Sequence, residues 1–302
     1  MLETQRLILR RWEDSDAESL YEYARDPDVG PVTGWPTHQS IEESRDVIRT
    51  VLNRKEAYAI CLKTDNRAIG TIELKLNGHT YMTEHDDECE LGYWLGKPFW
   101  GQNIMPEAAA EMLRHGFVDL GMSKIWVGYY EGNTKSKRVQ EKCGFRYQWK
   151  SENVDVPLMH EKRTEYVSSI TKDQWQWDRL YSAAVAVRKE RRISEYVTCG
   201  EVSAAILSKS GRIYTGVCID TCSTLGICAE RNAIFHMVTS GEQEIEKVIA
   251  ILPDGSSGAP CGACRELMVQ LMPETYKGIE IMMDYRQEKT MTLGELTPAW
   301  WI

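Results

Sequence analysis

The spacing of apolar and polar positions predicts an order of elements before any chemistry is considered. Residues 6–12 (RLILRRW) predict a strand, and Asp14-Ser15-Asp16 caps a helix that carries Leu20, Tyr21 and Tyr23. A looser stretch with Pro27, Gly30, Pro31, Gly34 and Pro36 follows, and helix signals resume at Ser40, where Glu43 completes a capping-box pattern. Residues 58–62 and 68–76 predict paired strands, and 89–95 another. A tight turn at Trp100-Gly101-Gln102-Asn103 leads into a helix over 105–120, a strand over 124–130 and a second helix beginning near Lys135. Farther on, 178–192 predict a continuous helix with Leu180, Ala184 and Val187 on one face. Residues 202–207 and 212–217 predict a hairpin around Lys209-Ser210-Gly211. A helix over 228–238, a strand over 248–252, the loop PDGSSGAP, a helix over 262–272 and a strand over 279–283 complete the pattern. The class is α/β: an α+β unit, then a mixed sheet with helices on both faces, a three-layer α/β/α arrangement.

Length divides this order. At 302 residues the chain exceeds the usual size of one domain, and the pattern places the domains at 1–174 and 175–302. No Gly/Ser-rich linker lies at the join, where Trp175 and Trp177 stand instead. Charge narrows the partners. There are 23 basic against 29 acidic residues up to Gln174, and 13 against 16 beyond it, so both parts are mildly acidic. Neither offers a basic stripe for a polyanion, which argues against nucleic acid and for a small-molecule substrate. The start MLETQRLILRRW lacks a signal-peptide layout, and no apolar run approaches membrane-spanning length. The expected compartment is the cytoplasm, where a CxxC pair among nine cysteines reads as metal-binding.

Two stretches carry chemistry. In the C-terminal part, Cys228-Ala229-Glu230 and Pro260-Cys261-Gly262-Ala263-Cys264 supply three thiolates and one acid, each motif opening a predicted helix. Three ligands leave a fourth zinc position open to water, as in a catalytic site. An acid that is not a ligand, followed by P-C-x-x-C, is the pattern of zinc nucleobase deaminases. The alternative is a structural zinc knuckle, which wants a fourth Cys or His at short spacing; His236 falls six residues beyond Glu230. In the N-terminal part, the turn before the helix near Met105 leaves backbone amides free for an anion.

From Leu2 to about Trp175 the chain resembles the GNAT acetyltransferases, in particular the branch acting on ribosomal-protein and other amino termini. The likeness rests on TQRLILRRW, WGQNIMPEA and EGNTKSKRVQEKCGF. It implies acetyl-CoA as cofactor, with its pyrophosphate on the amides of Gly101, Gln102, Asn103, Ile104 and Met105. Asn133 and Ser136 are implied beside the pantetheine arm and thioester, and Glu90 as the group that deprotonates an acceptor amine. Asn103 stands where the loop usually has its second glycine and Met105 where it has a small residue; asparagine is the non-glycine residue best suited to positive φ. The alternative is a GNAT fold kept for binding or oligomerisation only.

From Leu180 on, the chain resembles the cytidine deaminase family, including its blasticidin-S deaminase branch, through LGICAERNAI and APCGACRE. The resemblance implies zinc on Cys228, Cys261 and Cys264, with Glu230 carrying a proton from water to the pyrimidine N3 and then to the departing ammonia. It also implies Arg231 as a hydrogen-bond donor to the thiolates and a homo-oligomer. The sugar-recognition segment departs: Cys218 and Asp220 stand in place of the family's asparagine and glutamate. Trp300 and Trp301 form an aromatic tail suited to closing over a ligand. The expected protein is therefore bifunctional, deaminating a cytosine nucleoside and acetylating an amine. Two alternatives stay open: detoxification of an aminoacyl nucleoside antibiotic, and a nucleoside-binding scaffold.

Overall fold

Eight strands from the first part of the chain join in one sheet in the computed structural model, which describes residues 1–301. Contacts group the chain into two units, Met1–Lys172 and the part from Asp173 onward. The first unit begins with β1 (Leu2–Glu3), β2 (Leu7–Arg10), α1 (Ala17–Ala24), α2 (Gly30–Thr33), α3 (Ile41–Thr50), β3 (Ala57–Leu62) and β4 (Ala68–Leu76). It continues through β5 (Glu88–Leu95), α4 (Ile104–Arg114), β6 (Lys124–Tyr130), α5 (Thr134–Lys142), β7 (Arg146–Val156) and β8 (Glu161–Thr171).

The strand order is β1-β2-β3-β4-β5-β6-β8-β7, antiparallel at every pairing except β5 with β6. Strands β3 and β4 lie mid-sheet and are buried on both faces through most of their length, which suits the apolar runs AYAICL and AIGTI. The parallel pair is short. Glu88, Cys89 and Glu90 pair with Lys124, Ile125 and Trp126, yet β5 runs on to Leu95 and β6 to Tyr130. Past Glu90 the two strands part, and among the described residues their facing edges have no partner strand.

Several boundaries differ from the sequence pattern. The helix expected over 105–120 is α4 followed by a π-helical turn at His115–Asp119, where Gly116 admits the Ile125 side chain: a Cβ there would stand 2.7 Å from Ile125 Cδ1. Ser40 caps α3 by accepting from the Glu43 amide at 3.0 Å, but the Glu43 carboxylate reaches the Gln39 amide, one residue before the position the box pattern implies. The β7–β8 hairpin has no counterpart in the pattern, because β7 is exposed along most of its length and its polar residues follow no alternation.

The second unit contains α6 (Lys172–Val187), β9 (Arg191–Arg192), β10 (Val197–Ser208), β11 (Ile213–Thr221), α7 (Ala229–Thr239), β12 (Ile245–Ile251), α8 (Gly262–Leu271), β13 (Glu280–Asp284), β14 (Lys289–Thr292) and α9 (Leu293–Leu296). Its sheet runs β11-β10-β12-β13-β14, with β9 also on β10 and a parallel pairing only between β12 and β13. Alternate residues of β10 and β12 face two cores. Ile206 and Val248 pack with Ile234, Met237, Cys264 and Met268 of α7 and α8, while Ala205, Leu207 and Ile249 pack with Trp177, Leu180 and Ala184 of α6. That is the three-layer arrangement.

The helix expected over 178–192 begins earlier and ends earlier. Trp175 and Trp177 are both buried within α6, and beyond Val187 the chain turns so that Arg191 and Arg192 pair with Cys199 and Thr198. Arg188 holds this turn by donating to the Glu201 carbonyl at 3.0 Å. Among the described residues, no helix is long and apolar enough to cross a membrane.

Candidate functional site

The cysteine motifs converge because a glycine lets a helix lie directly on the sheet. A Cβ on Gly216 of β11 would stand 2.4 Å from the Ala233 nitrogen and 2.5 Å from the Ala229 carbonyl oxygen, so only glycine permits this approach of α7. Asn232 fastens the same helix by donating from Nδ2 to the Val217 carbonyl at 3.0 Å. Cys228 is then the N-cap of α7 and Cys261 the N-cap of α8, with Cys264 in the first turn of α8. Helix starts present free amides and positive dipole ends, both favourable to thiolates.

The three Sγ atoms all lie within 4.8 Å of one another, with Cys228–Cys261 and Cys261–Cys264 each at 3.4 Å. Two thiolates on one tetrahedral zinc, at bonds of about 2.3 Å, stand about 3.8 Å apart, so donor type and spacing both fit that ion. Cys264 is buried, Cys228 intermediate and Cys261 exposed, which leaves the cluster open on one side. Arg231 Nη2 stands 3.8 Å from Cys228 Sγ, and its Nε is buried without a partner among the described residues. Glu230 is 5 % exposed in the first turn of α7, and burial pushes its carboxyl above the usual carboxylate range.

The departures from the family pattern also take positions here. A bridge between Ile219 and Ile227 sets Cys218 across from Cys228 in register and Asp220 across from Gly226. Cys218 is buried and its sulfur accepts from the Val202 amide at 3.2 Å, whereas Asp220 is exposed. Trp300 and Trp301 both donate from Nε1 to the carboxylate of Glu266 on α8, at 2.6 Å and 3.0 Å. Glu266 lies two residues beyond Cys264, and nothing in the sequence pattern singled it out. Arg265 ties the motif to the tail, donating to the carbonyls of Pro260 (2.9 Å) and Leu296 (3.0 Å).

In the first unit, the parting of β5 and β6 opens a cleft of about 640 Å³. Gly101 and Asn103 adopt positive φ, at 77° and 57°, so asparagine does take the left-handed position. The amides at the start of α4 have no partner within the helix. Gly101, Asn103, Ile104 and Met105 line the cleft, and so do Asn133, Ser136 and Glu90; Gln102 does not, its side chain donating to the Pro98 carbonyl at 2.9 Å. Arg6 braces the turn, donating to the Gln102 carbonyl at 3.1 Å and pairing with Glu107 at 2.6 Å. Through Arg6 the opening RLILRRW is tied to the loop.

Asn133 caps α5 by accepting from the Ser136 amide at 3.1 Å, and Ser136 Oγ lies 2.9 Å from the Tyr93 hydroxyl. Glu90 is bonded to Lys75 at 2.7 Å and accepts from Thr80 at 2.6 Å. Lys135, Arg138 and Lys142, at helical spacing on α5, give the cleft a cationic edge beside the loop, and Lys142 reaches Asn103 Oδ1 at 2.6 Å. Their three- and four-residue spacing was the available signal.

Comparison with known proteins accounts for both units. Residues 6–146 match the acetyltransferase (GNAT) domain, and residues 176–277 match the cytidine and deoxycytidylate deaminase zinc-binding region. The chain is 35% identical over 103 residues to a cytidine deaminase of Halalkalibacterium halodurans, which spans 33% of this chain and 75% of that protein. It is 27% identical over 175 residues to the uncharacterized N-acetyltransferase YoaA of Bacillus subtilis, covering 56% of this chain and 94% of the relative. A crystal structure of a GNAT-family acetyltransferase from Bacillus anthracis superposes with TM-score 0.50 at 26% identity, over 57% of this chain and 98% of its own. The chain belongs to the cytidine deaminase family through its C-terminal part, fused behind an N-terminal GNAT acetyltransferase domain.

Proposed function

We propose that the C-terminal part hydrolyses the 4-amino group of a cytosine nucleoside, cytidine or deoxycytidine, giving the 4-oxo base and ammonia. The observation that carries this reading is the cluster of three thiols within 4.8 Å, with the buried Glu230 in the same helical turn as Cys228. Cys228, Cys261 and Cys264 hold zinc, which when bound lowers the pKa of water to about 7. Glu230 takes a proton from the attacking water, passes it to the pyrimidine N3 and delivers protons to the departing amine. Its burial keeps the carboxyl away from bulk water, so the proton it holds stays at the reacting base. Arg231 donates to the thiolates and offsets part of their charge.

The N-terminal part transfers an acetyl group from acetyl-CoA to an amine. The amides of Gly101 to Met105, beside the cationic edge of α5, would hold the cofactor's pyrophosphate, and Asn133 and Ser136 would meet its pantetheine arm.

A second reading is favoured by one feature. Cys218, in place of the family's asparagine, accepts from the Val202 amide and lacks the carboxamide's paired donor and acceptor for a ribose hydroxyl. A nucleoside with a different sugar, such as an aminoacyl nucleoside antibiotic, suits that site. It would also present free amines to the acetyltransferase.

Loss of cytosine ultraviolet absorbance by the zinc-loaded chain tests both readings, using cytidine, deoxycytidine and blasticidin S with Glu230→Ala as control. Turnover of cytidine that vanishes in the variant supports the first reading. Turnover of the antibiotic alone supports the second, and no turnover of any of the three overturns the deaminase assignment.

A further inference from the structure

The acetyltransferase half needs a group to take a proton from its acceptor, because an alkylamine is an ammonium near neutral pH. Glu90, the acid suggested by the sequence, is already engaged: one oxygen pairs with Lys75 and the other accepts from Thr80. Both of its oxygens are thereby occupied. A second acid lines the same cleft. Glu165 of β8 sits opposite Tyr130 of β6 in register and is 5 % exposed.

Its two oxygens have different surroundings. Oε2 accepts from the Tyr81 hydroxyl, while Oε1 accepts no hydrogen bond among the described residues. The backbone makes room for that free oxygen. A Cβ on Gly128, also in the cleft wall, would stand 2.5 Å from Glu165 Oε1 and 2.7 Å from the Met82 methyl. Tyr81 is largely exposed as a residue, yet its hydroxyl reaches the buried Glu165 carboxylate.

We propose that Glu165, held by Tyr81, is the catalytic base that receives the acceptor ammonium through Oε1 and takes its proton. This rests on the acetyltransferase reading of the first unit, and it assigns the acceptor to cationic amines. The charged and titratable groups facing Glu165 are Tyr81, Glu90, Lys75 and Tyr130. Burial pushes its carboxyl above the usual carboxylate range, against the pull of the Tyr81 hydrogen bond.

The step balances. The ammonium gives one proton to Oε1, and the freed nitrogen lone pair forms the C–N bond as the thioester C–S bond breaks. The second proton lost from nitrogen ends on the departing sulfur, leaving the amide and the CoA thiol. Glu165 then returns its proton to water.

The test uses the full chain and two probe amines in excess. Ethylamine is protonated at neutral pH, like a lysine side chain of pKa about 10.4, whereas hydroxylamine is already neutral there. Thiol release from acetyl-CoA is followed for wild type, Glu165→Gln, Glu90→Gln and Tyr81→Phe, and calorimetry gives acetyl-CoA affinity. Glu165→Gln is expected to slow transfer to ethylamine by about 100-fold or more, to spare hydroxylamine, and to leave acetyl-CoA affinity unchanged. The ethylamine defect should shrink as pH rises. Tyr81→Phe, a change at a positioning residue, should shift the pH profile for ethylamine without abolishing transfer.

Equal loss with both amines, a defect that follows Glu90→Gln instead, or no transfer by wild type to either amine would overturn the assignment. Absence of acetyl-CoA binding by wild type would sink the acetyltransferase reading itself, a distinct outcome.

Discussion

Arg231 shows how one side chain can be placed by a sequence motif and still carry its meaning in three dimensions. In the run CAER it follows the acid directly, so it could equally have faced solvent from a helix. In the structure it turns back to its own helix start, with Nη2 3.8 Å from Cys228 Sγ and Nε buried without a partner among the described residues. A buried guanidinium donor without an acceptor is costly, and a thiolate engaged by a metal would relieve it. Donors behind metal ligands commonly contribute 10- to 100-fold in metal affinity. Arg231→Ala is therefore expected to weaken zinc retention by about that factor, measured by competition with a chromogenic chelator at constant pH. Unchanged retention would make Arg231 a spectator.

Glu165 is the opposite case. Its partner Tyr81 is 84 residues away, and the glycine that makes room for it lies on another strand. No window of sequence contains those three residues. The cysteine cluster could be read because its chemistry is concentrated in two short motifs, whereas this carboxylate is defined by what surrounds it.

At the scale of elements, legibility follows burial. Strands β3 to β6 match the hydrophobic pattern closely because each has at least one face in a core. The β7–β8 hairpin does not, because β7 is exposed along most of its length and its residues follow no alternation. The loop and the cations on the rim of the cleft are legible in the sequence, but its opening is not. It exists because β5 and β6 pair over three residues and then part, and such a divergence is a backbone property.

The contact of α7 with β11 is another backbone property, although a single residue reveals it. Gly216 sits mid-strand, where glycine is unfavourable unless another backbone comes close. Here the helix carrying Cys228 and Glu230 approaches to within 2.4 Å of where a Cβ would be, and the atoms it meets are backbone, with no rotamer to yield. Gly216→Val must push α7 outward. Overpacking of this kind costs about 1–3 kcal/mol. The expected signature is a lower unfolding midpoint together with loss of stoichiometric zinc, because displacing α7 separates Cys228 from Cys261 and Cys264. A variant that kept full zinc content would show that the helix position is not set at this glycine.

For the whole molecule, each unit has its own core and its own candidate ligand. Leu7, Leu9, Ile60 and Phe117 are buried in the first, while Ile206, Met268 and Trp177 are buried in the second. A ligand that binds only the folded form stabilises by mass action, by about 2.7 kcal/mol at 100 times its Kd. For a unit of this size that corresponds to a shift of about 5–10 °C. Calorimetry of the full chain should resolve two transitions. Acetyl-CoA is expected to raise one of them by that amount, and zinc chelation to lower the other. The cleft lies wholly in the first unit and the thiol cluster wholly in the second, so the two ligands should act on different transitions. A single transition moved by both reagents would mean that the chain unfolds as one cooperative body. In that case the two activities would be coupled through stability: zinc loss in a cell would remove the acetyltransferase together with the deaminase.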